Sequence, residues 1–107
     1  MKQPCVLLID DEEDILRSIR QALELAGFKV RELTSADAAL DLVTPGFPGI
    51  IVSDIRMPGM DGMTLLTRVR DIDADVPVIL VTGHGDVQLA VRAMREGAYD
   101  FIEKPFS

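Results

Sequence analysis

Four short segments of this 107-residue chain carry polar side chains that could do chemistry together. They are Asp10-Asp11, Asp54, Thr82 and Lys104-Pro105, and each closes a short apolar run. Carboxylates are hard oxygen ligands of the kind that Mg²⁺ prefers, and a lysine ammonium can contact the oxygens of a phosphoryl group. The residue types therefore predict a site for Mg²⁺ and a phosphoryl group.

The apolar runs indicate which elements position these residues. They cover residues 5–9, 49–53, 76–81 and 98–102, and they read as strands buried on both faces of a parallel sheet. A more exposed strand is predicted at 28–33, and helical periodicity fills the intervals, as at Ile15, Ile19 and Leu23 before Gly27. The alternation predicts an α/β fold of parallel βαβ units. In such sheets ligands bind at the carboxyl ends of the strands, where the polar segments lie.

Composition and charge exclude several classes of function. The length suits one domain, residues 1–107, and 48% hydrophobic residues are enough for a core. A formal net charge of −7 without a basic stripe argues against direct contact with nucleic acid. The single cysteine, Cys5, excludes an internal disulfide and a cysteine metal cluster. Neither a membrane span nor a signal peptide is recognisable, so we expect a cytoplasmic protein without a membrane contact.

Each candidate residue also has an ordinary structural explanation. Asp10 and Asp11 could cap a helix whose first turn is acidic, and Asp54 alone could be a loop aspartate. Thr82 could be a strand residue and Lys104 a surface lysine. Carboxylates gathered at neighbouring strand ends would, however, repel one another and raise at least one pKa unless a cation intervened. Because a fold tolerates such a cluster where function needs it, we favour the metal site.

Four motifs occur in order along nearly the whole chain. They are Asp10-Asp11, the segment DIRMPGMDG at 54–62, Thr82-Gly83 and the segment FIEKPF at 101–106. Together they make the chain resemble the receiver domain of bacterial two-component response regulators. The stretch 82–97 is similar to receivers of nitrogen and dicarboxylate sigma-factor activators and of nitrogen-fixation regulators. The resemblance implies a doubly wound, flavodoxin-like, five-stranded parallel sheet with strand order 2-1-3-4-5.

The resemblance also implies a role for the acidic residues. Asp54 would be phosphorylated by a partner sensor histidine kinase. Asp11, Asp54 and the carbonyl of Arg56 would hold Mg²⁺, with Asp10 contributing directly or through a bound water. The chain would then be a phosphoacceptor rather than an enzyme, promoting only its own phosphotransfer and dephosphorylation. It would control transcription through a tethered output domain outside this chain.

Three further residues would respond to the phosphoryl group. Lys104 would contact it, and the peptide bond to Pro105 would be cis, a form largely confined to proline. The added charge would draw Thr82 inward, and Phe101 would then turn inward to relay the state to the surface. The alternative explanation of Phe101 is a plain core aromatic.

Arg56 and His84 each follow a site residue at a distance of two positions. In receivers, residues at these variable positions influence how quickly the phosphoryl group is lost. We hypothesise that Arg56 and His84 shield the acyl phosphate from water. The alternative is that both are solvated loop residues. We do not expect His84 to bind metal, since no second ligand accompanies it.

The chain stops soon after the last predicted strand, where receivers ordinarily continue into a fifth helix. We therefore expect a piece of a longer receiver, with apolar surface left open on the first and fifth strands and a possible homodimer through that face. Two other functions stay open: a phosphorylation-independent interaction module and a small Mg²⁺-dependent phosphatase. A phosphatase of the haloacid dehalogenase type expects an Asp-x-Asp pattern that Asp10-Asp11-Glu12 does not provide.

Overall fold

The computed structural model describes residues 5–57, 59–83 and 86–104, in which strands and helices alternate. The strands are β1 (Cys5–Ile9), β2 (Lys29–Leu33), β3 (Ile50–Asp54), β4 (Val78–Thr82) and β5 (Asp100–Glu103). The helices are α1 (Glu13–Leu25), α2 (Ala36–Leu40), α3 (Gly62–Ile72) and α4 (Val87–Arg95). No helix in the described part of the chain has the length and apolar character needed to cross a bilayer.

All five strands are parallel and lie in the order β2-β1-β3-β4-β5, so the predicted α/β architecture and strand order are confirmed. In the register Asp54 lies beside Val81, and Thr82 lies beside Glu103. The last residue of each inner strand therefore comes to the same edge of the sheet. The chemistry-bearing residues leave the sheet at that edge because every strand runs in the same direction.

The two faces of the sheet carry separate apolar clusters because side chains alternate along each strand. From β1, Leu7 and Ile9 join the larger cluster, whereas Val6 and Leu8 join the smaller one. The larger cluster also contains Ala36, Ala39, Val43, Ile51, Ile55, Met63, Leu65, Leu66, Val69, Val76, Val78, Leu80, Ala93 and Ala98. The smaller cluster is completed by Leu16, Val52 and Val81, so α1 covers that face of β1.

The fifth strand differs from the sequence-based expectation. β5 begins two residues after the start of the apolar run, and its residues are exposed rather than buried on both faces. Phe101 is 39% exposed and Ile102 is 52% exposed. The reason is that little covers the faces of β5: it lies at the edge of the sheet, and among the described elements it packs mainly against β4 and α4. The interpretation of Phe101 as a core aromatic is therefore wrong.

The sequence predicts open apolar surface on the first and fifth strands, and one of these two predictions is confirmed. Such surface occurs on β5, but the expectation for β1 is wrong because α1 covers Val6 and Leu8. Pro105, with its predicted cis bond, lies outside the described residues. The predictions of a single domain over 1–107 and of a missing fifth helix stay predictions.

Candidate functional site

The structure gathers the predicted acidic residues at the carboxyl edge of the sheet. Asp10 follows β1 and is 1% exposed, and Asp54 ends β3 and is 3% exposed. Asp11 and Glu12 lie on the exposed side of the same cluster. One carboxylate oxygen from each of these four residues lies within 4.8 Å of the others. A cluster of this density brings strong mutual repulsion unless positive charge is placed within it.

Lys104 supplies positive charge to this cluster. Its Nζ lies 2.8 Å from Asp54 Oδ2, 3.1 Å from Glu12 Oε1 and 3.8 Å from Asp10 Oδ2. The backbone N–H of Lys104 donates to the carbonyl of Thr82 at 2.7 Å, so the residue is held at the end of β4. Burial alone would lower the pKa of Lys104, but the hydrogen bonds to Asp54 and Glu12 and the surrounding charges raise it above its ordinary value. The ammonium is therefore charged at physiological pH.

Asp10 has one satisfied and one unsatisfied carboxylate oxygen. Its Oδ1 accepts a hydrogen bond from the backbone N–H of Glu12 at 2.9 Å. Its Oδ2 is buried and has no hydrogen-bond partner among the described residues. Burial is the main reason that the pKa of Asp10 is raised to about 6, with a further contribution from the charge of Asp54. A buried oxygen without a partner in an all-oxygen cluster fits a hard divalent cation.

The turn after β3 determines where Asp54 lies. The N–H of Ile55 donates to the carbonyl of Val81 at 3.1 Å, which extends the pairing of β3 with β4 past Asp54. The N–H of Gly62 then donates to the carbonyl of Ile55 at 2.8 Å and closes the turn against the strand end. A Cβ at Gly62 would collide with the backbone of Asp54 and Ile55. The backbone N–H of Arg56 donates to Asp54 Oδ1 at 3.3 Å and restrains the carboxylate.

The residues predicted to respond to the phosphoryl group or to shield it differ in their burial and in the groups that they contact. Thr82 is buried, and its hydroxyl donates to the carbonyl of Ile102 on β5 at 3.5 Å, a long hydrogen bond. Phe101 lies on β5 beside Leu80 of β4 and is partly exposed. The guanidinium of Arg56 donates hydrogen bonds to the carboxylate of Asp86, which precedes α4, rather than to Asp54. His84 lies outside the described residues.

Two polar residues at the site were not predicted from the sequence. Glu12 looks in the sequence like one more acid at the start of a helix, yet it binds Lys104. Its position directly after Asp10-Asp11 is the signal that could have identified it. Asp86 binds Arg56 across 30 residues of sequence, and no local pattern pairs the two. They come together because Arg56 follows β3, Asp86 lies between β4 and α4, and β3 and β4 are parallel neighbours in the sheet.

Comparisons with known proteins agree with this geometry. The family model described as "Response regulator receiver domain" matches residues 6–107. The "C4-dicarboxylate transport transcriptional regulatory protein DctD" of Pseudomonas aeruginosa is 58% identical over 104 residues, covering 97% of this chain and 22% of DctD. The "Transcriptional regulatory protein FixJ" of Rhizobium meliloti is 46% identical over 101 residues, covering 94% of this chain and 50% of FixJ.

The fold is shared with a solved relative as well. The crystal structure titled FixJ-N superposes with a TM-score of 0.86 at 43% identity, and the match covers 100% of this chain and 86% of that one. The chain spans between about a fifth and a half of the length of the two curated relatives. The matches therefore concern a segment of those proteins rather than their whole length.

Proposed function

We propose, from the premise that this chain belongs to the response regulator receiver domains, that Asp54 is its phosphoacceptor. The observation that carries the proposal is the contact of 2.8 Å between Lys104 Nζ and Asp54 Oδ2 inside a buried acidic cluster. A carboxylate oxygen of Asp54 would bond to the phosphorus of a phosphohistidine on a sensor kinase. The P–N bond would break and the imidazole would leave, which produces an acyl phosphate. The domain is thus a phosphoacceptor rather than an enzyme that turns over a substrate, and it would promote only its own phosphotransfer and dephosphorylation.

We assign the Mg²⁺ position to Asp10, Asp11, Asp54 and the backbone carbonyl of Arg56. The Oδ2 of Asp10, which has no hydrogen-bond partner among the described residues, and the carboxylate donor set support this assignment. When bound, the cation would neutralise negative charge on the oxygens of the group being transferred. Lys104 would contact the phosphoryl oxygens, since its Nζ already lies at hydrogen-bonding distance from Asp54.

Thr82 and Phe101 form the proposed relay to the surface. Among the described residues, the hydroxyl of Thr82 has the carbonyl of Ile102 as its acceptor, through a long hydrogen bond of 3.5 Å, so a phosphoryl oxygen on Asp54 could replace that acceptor. Movement of Thr82 towards Asp54 would free space beside β5, and the partly exposed ring of Phe101 could turn into it. The relay would change the surface of β5 without any change in strand order.

Arg56 and His84 are proposed to set the lifetime of the acyl phosphate by shielding it from water. The backbone contact of Arg56 with Asp54 supports this role, because it places the start of the arginine side chain beside the phosphoacceptor. Replacing Arg56 and His84 by alanine should increase the rate of dephosphorylation. An unchanged rate would assign both residues to the solvated loop instead.

The partners follow from the same proposal. A sensor histidine kinase would supply the phosphoryl group, and a tethered output domain would control transcription. The second part is supported by the relatives DctD and FixJ, whose names describe them as transcriptional regulatory proteins. Nucleic acid would be contacted by the output domain rather than by this acidic chain. A second copy could pack on the apolar side chains exposed on β5, which are Phe101 and Ile102. Transcriptional control would place the protein in the cytoplasm.

Intact-mass measurement tests the proposed chemistry. We would incubate the protein with Mg²⁺ and acetyl phosphate and compare it with Asp54→Ala and with Asp71→Ala, which removes an exposed aspartate of α3. We expect one phosphoryl group on the wild type and on Asp71→Ala, none on Asp54→Ala, and none after chelation of Mg²⁺. No adduct with acetyl phosphate or beryllofluoride would favour the phosphorylation-independent interaction module. Release of phosphate from a phosphomonoester would favour the phosphatase.

A further inference from the structure

An ion pair with two-point geometry joins the turn after β3 to the start of α4. The Nη2 of Arg56 lies 2.9 Å from Asp86 Oδ1, and Nε lies 3.1 Å from Oδ2. The Asp86 side chain is only 13% exposed, whereas the Arg56 side chain is 71% exposed. The hydrogen bond from Arg56 also holds the pKa of Asp86 below its ordinary range. The planar guanidinium thus matches the carboxylate at both oxygens, which is the stronger form of such a pair.

The pair diverts Asp86 from a second role that its position suggests. Asp86 is the N-cap residue of α4, and aspartate at an N-cap commonly accepts a hydrogen bond from a backbone amide of the first turn. Ser35 and Asp61 do this for α2 and α3, at 3.2 Å and 2.8 Å. In the described structure Asp86 makes no such side-chain cap bond, since its carboxylate faces Arg56. Within the described part of the chain, the first-turn amides of α4 therefore receive no hydrogen bond from the side chain of their N-cap residue.

A phosphoryl group on Asp54 would compete with Asp86 for the same guanidinium. The backbone N–H of Arg56 already donates to Asp54 Oδ1, so the arginine begins beside the phosphoacceptor. A phosphoryl group carries close to two negative charges and three acceptor oxygens, whereas Asp86 carries one charge and two oxygens. The exposed side chain of Arg56 is free of core packing that would oppose its rotation. Charge and position thus both favour a change of partner.

We propose that Asp86 is a positioning residue that holds Arg56 in the unphosphorylated domain, and that the phosphoryl group displaces it. Asp86 then caps α4, so the start of this helix reports the state of Asp54. This inference rests on the proposed phosphorylation of Asp54. It adds a path to α4 that is separate from Thr82 and Phe101.

Titration with beryllofluoride in the presence of Mg²⁺ tests the exchange in the unmodified chain and its variants. Asp86→Asn removes the competing charge and keeps a residue that can cap, so we expect about twofold to fivefold tighter beryllofluoride binding, the range of an exposed ion pair. The tightening should vanish when Arg56→Gln is also present, because no guanidinium remains to be released. Glu96→Gln is the matched control, since it breaks the exposed Arg92–Glu96 pair of the same helix.

Hydrogen exchange supplies the second measurement. Beryllofluoride should slow exchange at the amides of Gln88 and Leu89 in the wild type, and this slowing should be lost in Asp86→Ala. Three results would each overturn the proposed change of partner. The first is that Asp86→Asn tightens beryllofluoride binding equally in the presence and absence of Arg56, and the second is that it does not tighten binding at all. The third is slower hydrogen exchange at Gln88 and Leu89 that persists in Asp86→Ala. Those outcomes leave the phosphoacceptor proposal intact, because the adduct still forms. Absence of any Asp54-dependent adduct in the wild type would overturn both proposals together.

Discussion

The inner strands (β1, β3 and β4) and the α4–β5 edge (residues 86–104) meet at the same site but are built differently. The inner strands are almost completely buried; Asp54 and Thr82 end two of them, and the buried Asp10 directly follows the third. The α4–β5 edge exposes most of its large apolar side chains, and it carries Lys104. The buried region thus supplies the phosphoacceptor, whereas the exposed region supplies Lys104 and the surface that would signal.

The difference in burial implies a difference in how readily each region can rearrange. Moving a side chain in a close-packed strand creates a void or a collision, so the positions of Asp10 and Asp54 are strongly restrained. At the α4–β5 edge few core contacts would be lost, and regions of that kind have low local stability. A switch needs both properties, because the phosphoacceptor must be held in place while the reporting surface changes.

The largest expected contrast comes from removing the same apolar volume from each region. Ile51 of β3 is fully buried, whereas Ile102 of β5 is half exposed. We expect Ile51→Ala to lower the free energy of unfolding by about 2–5 kcal/mol because it leaves a cavity in the larger cluster. Ile102→Ala should lower it by less than about 1 kcal/mol. Urea unfolding measures both values, and equal losses would show that β5 is packed as tightly as β3.

Two glycines provide the next contrast, in the turns that follow β3 and β4. A side chain at Gly62 would collide with the backbone of Asp54 and Ile55, so we expect Gly62→Ala to lower the free energy of unfolding by about 2–3 kcal/mol. Gly83→Ala is the control, because its nearest neighbour would be Asp86 Oδ2 at 3.6 Å, an ordinary contact. Intact-mass phosphorylation should fall with Gly62→Ala and persist with Gly83→Ala. Comparable losses of stability would mean that both turns are equally constrained.

A smaller effect should appear in the pH dependence of stability without metal. The folded pKa of Asp10 is about 6 and its ordinary value is 3.8, so the folded state binds more protons between these values. The free energy of unfolding should therefore rise by about 1 kcal/mol through this group as the pH falls from 7 to 5. Asp10→Asn should abolish that rise and, with EDTA present, should stabilise the protein at pH 7.

Mg²⁺ provides the complement to this measurement. The cation and the proton compete for Asp10, so stabilisation of the wild type by Mg²⁺ should weaken below about pH 6. Asp71→Asn controls for the loss of one exposed carboxylate. An identical pH dependence in Asp10→Asn and the wild type would remove Asp10 as the cause.

The inner strands could be predicted from the sequence because their apolar runs are continuous and each is followed by a polar segment. Parallel pairing then places Asp54 and Thr82 at one edge without further information. The exposure of β5 could not be predicted in this way, since its residues resemble those of a buried strand. Burial depends on which element covers a strand, and residues 98–103 carry no local sign of that.

The acidic residues of the site could be predicted from the sequence, whereas the ion pairs between its side chains could not be predicted as well. Asp10 and Asp54 follow from their positions at strand ends, whereas the pairing of Arg56 with Asp86 joins residues 30 positions apart that belong to no strand or helix. Loop conformation decides whether the Asp86 side chain caps its own helix or turns to an arginine. Both choices are compatible with the same local sequence.

The smallest expected effect concerns the link between the two regions. Arg70 of α3 donates from Nη1 to the carbonyl of Gly97 at 3.1 Å and to that of Ala74 at 3.4 Å, so it attaches α3 to the turn before β5. Arg70→Met keeps the aliphatic stem and should lower the free energy of unfolding by about 0.5–1 kcal/mol. Arg68→Met, at an exposed position of the same helix, should change it less. Hydrogen exchange at residues 97–103 should increase in Arg70→Met alone, because the link restrains the exposed edge and not the inner strands. Faster exchange in β3 as well would mean that the two regions unfold as one unit.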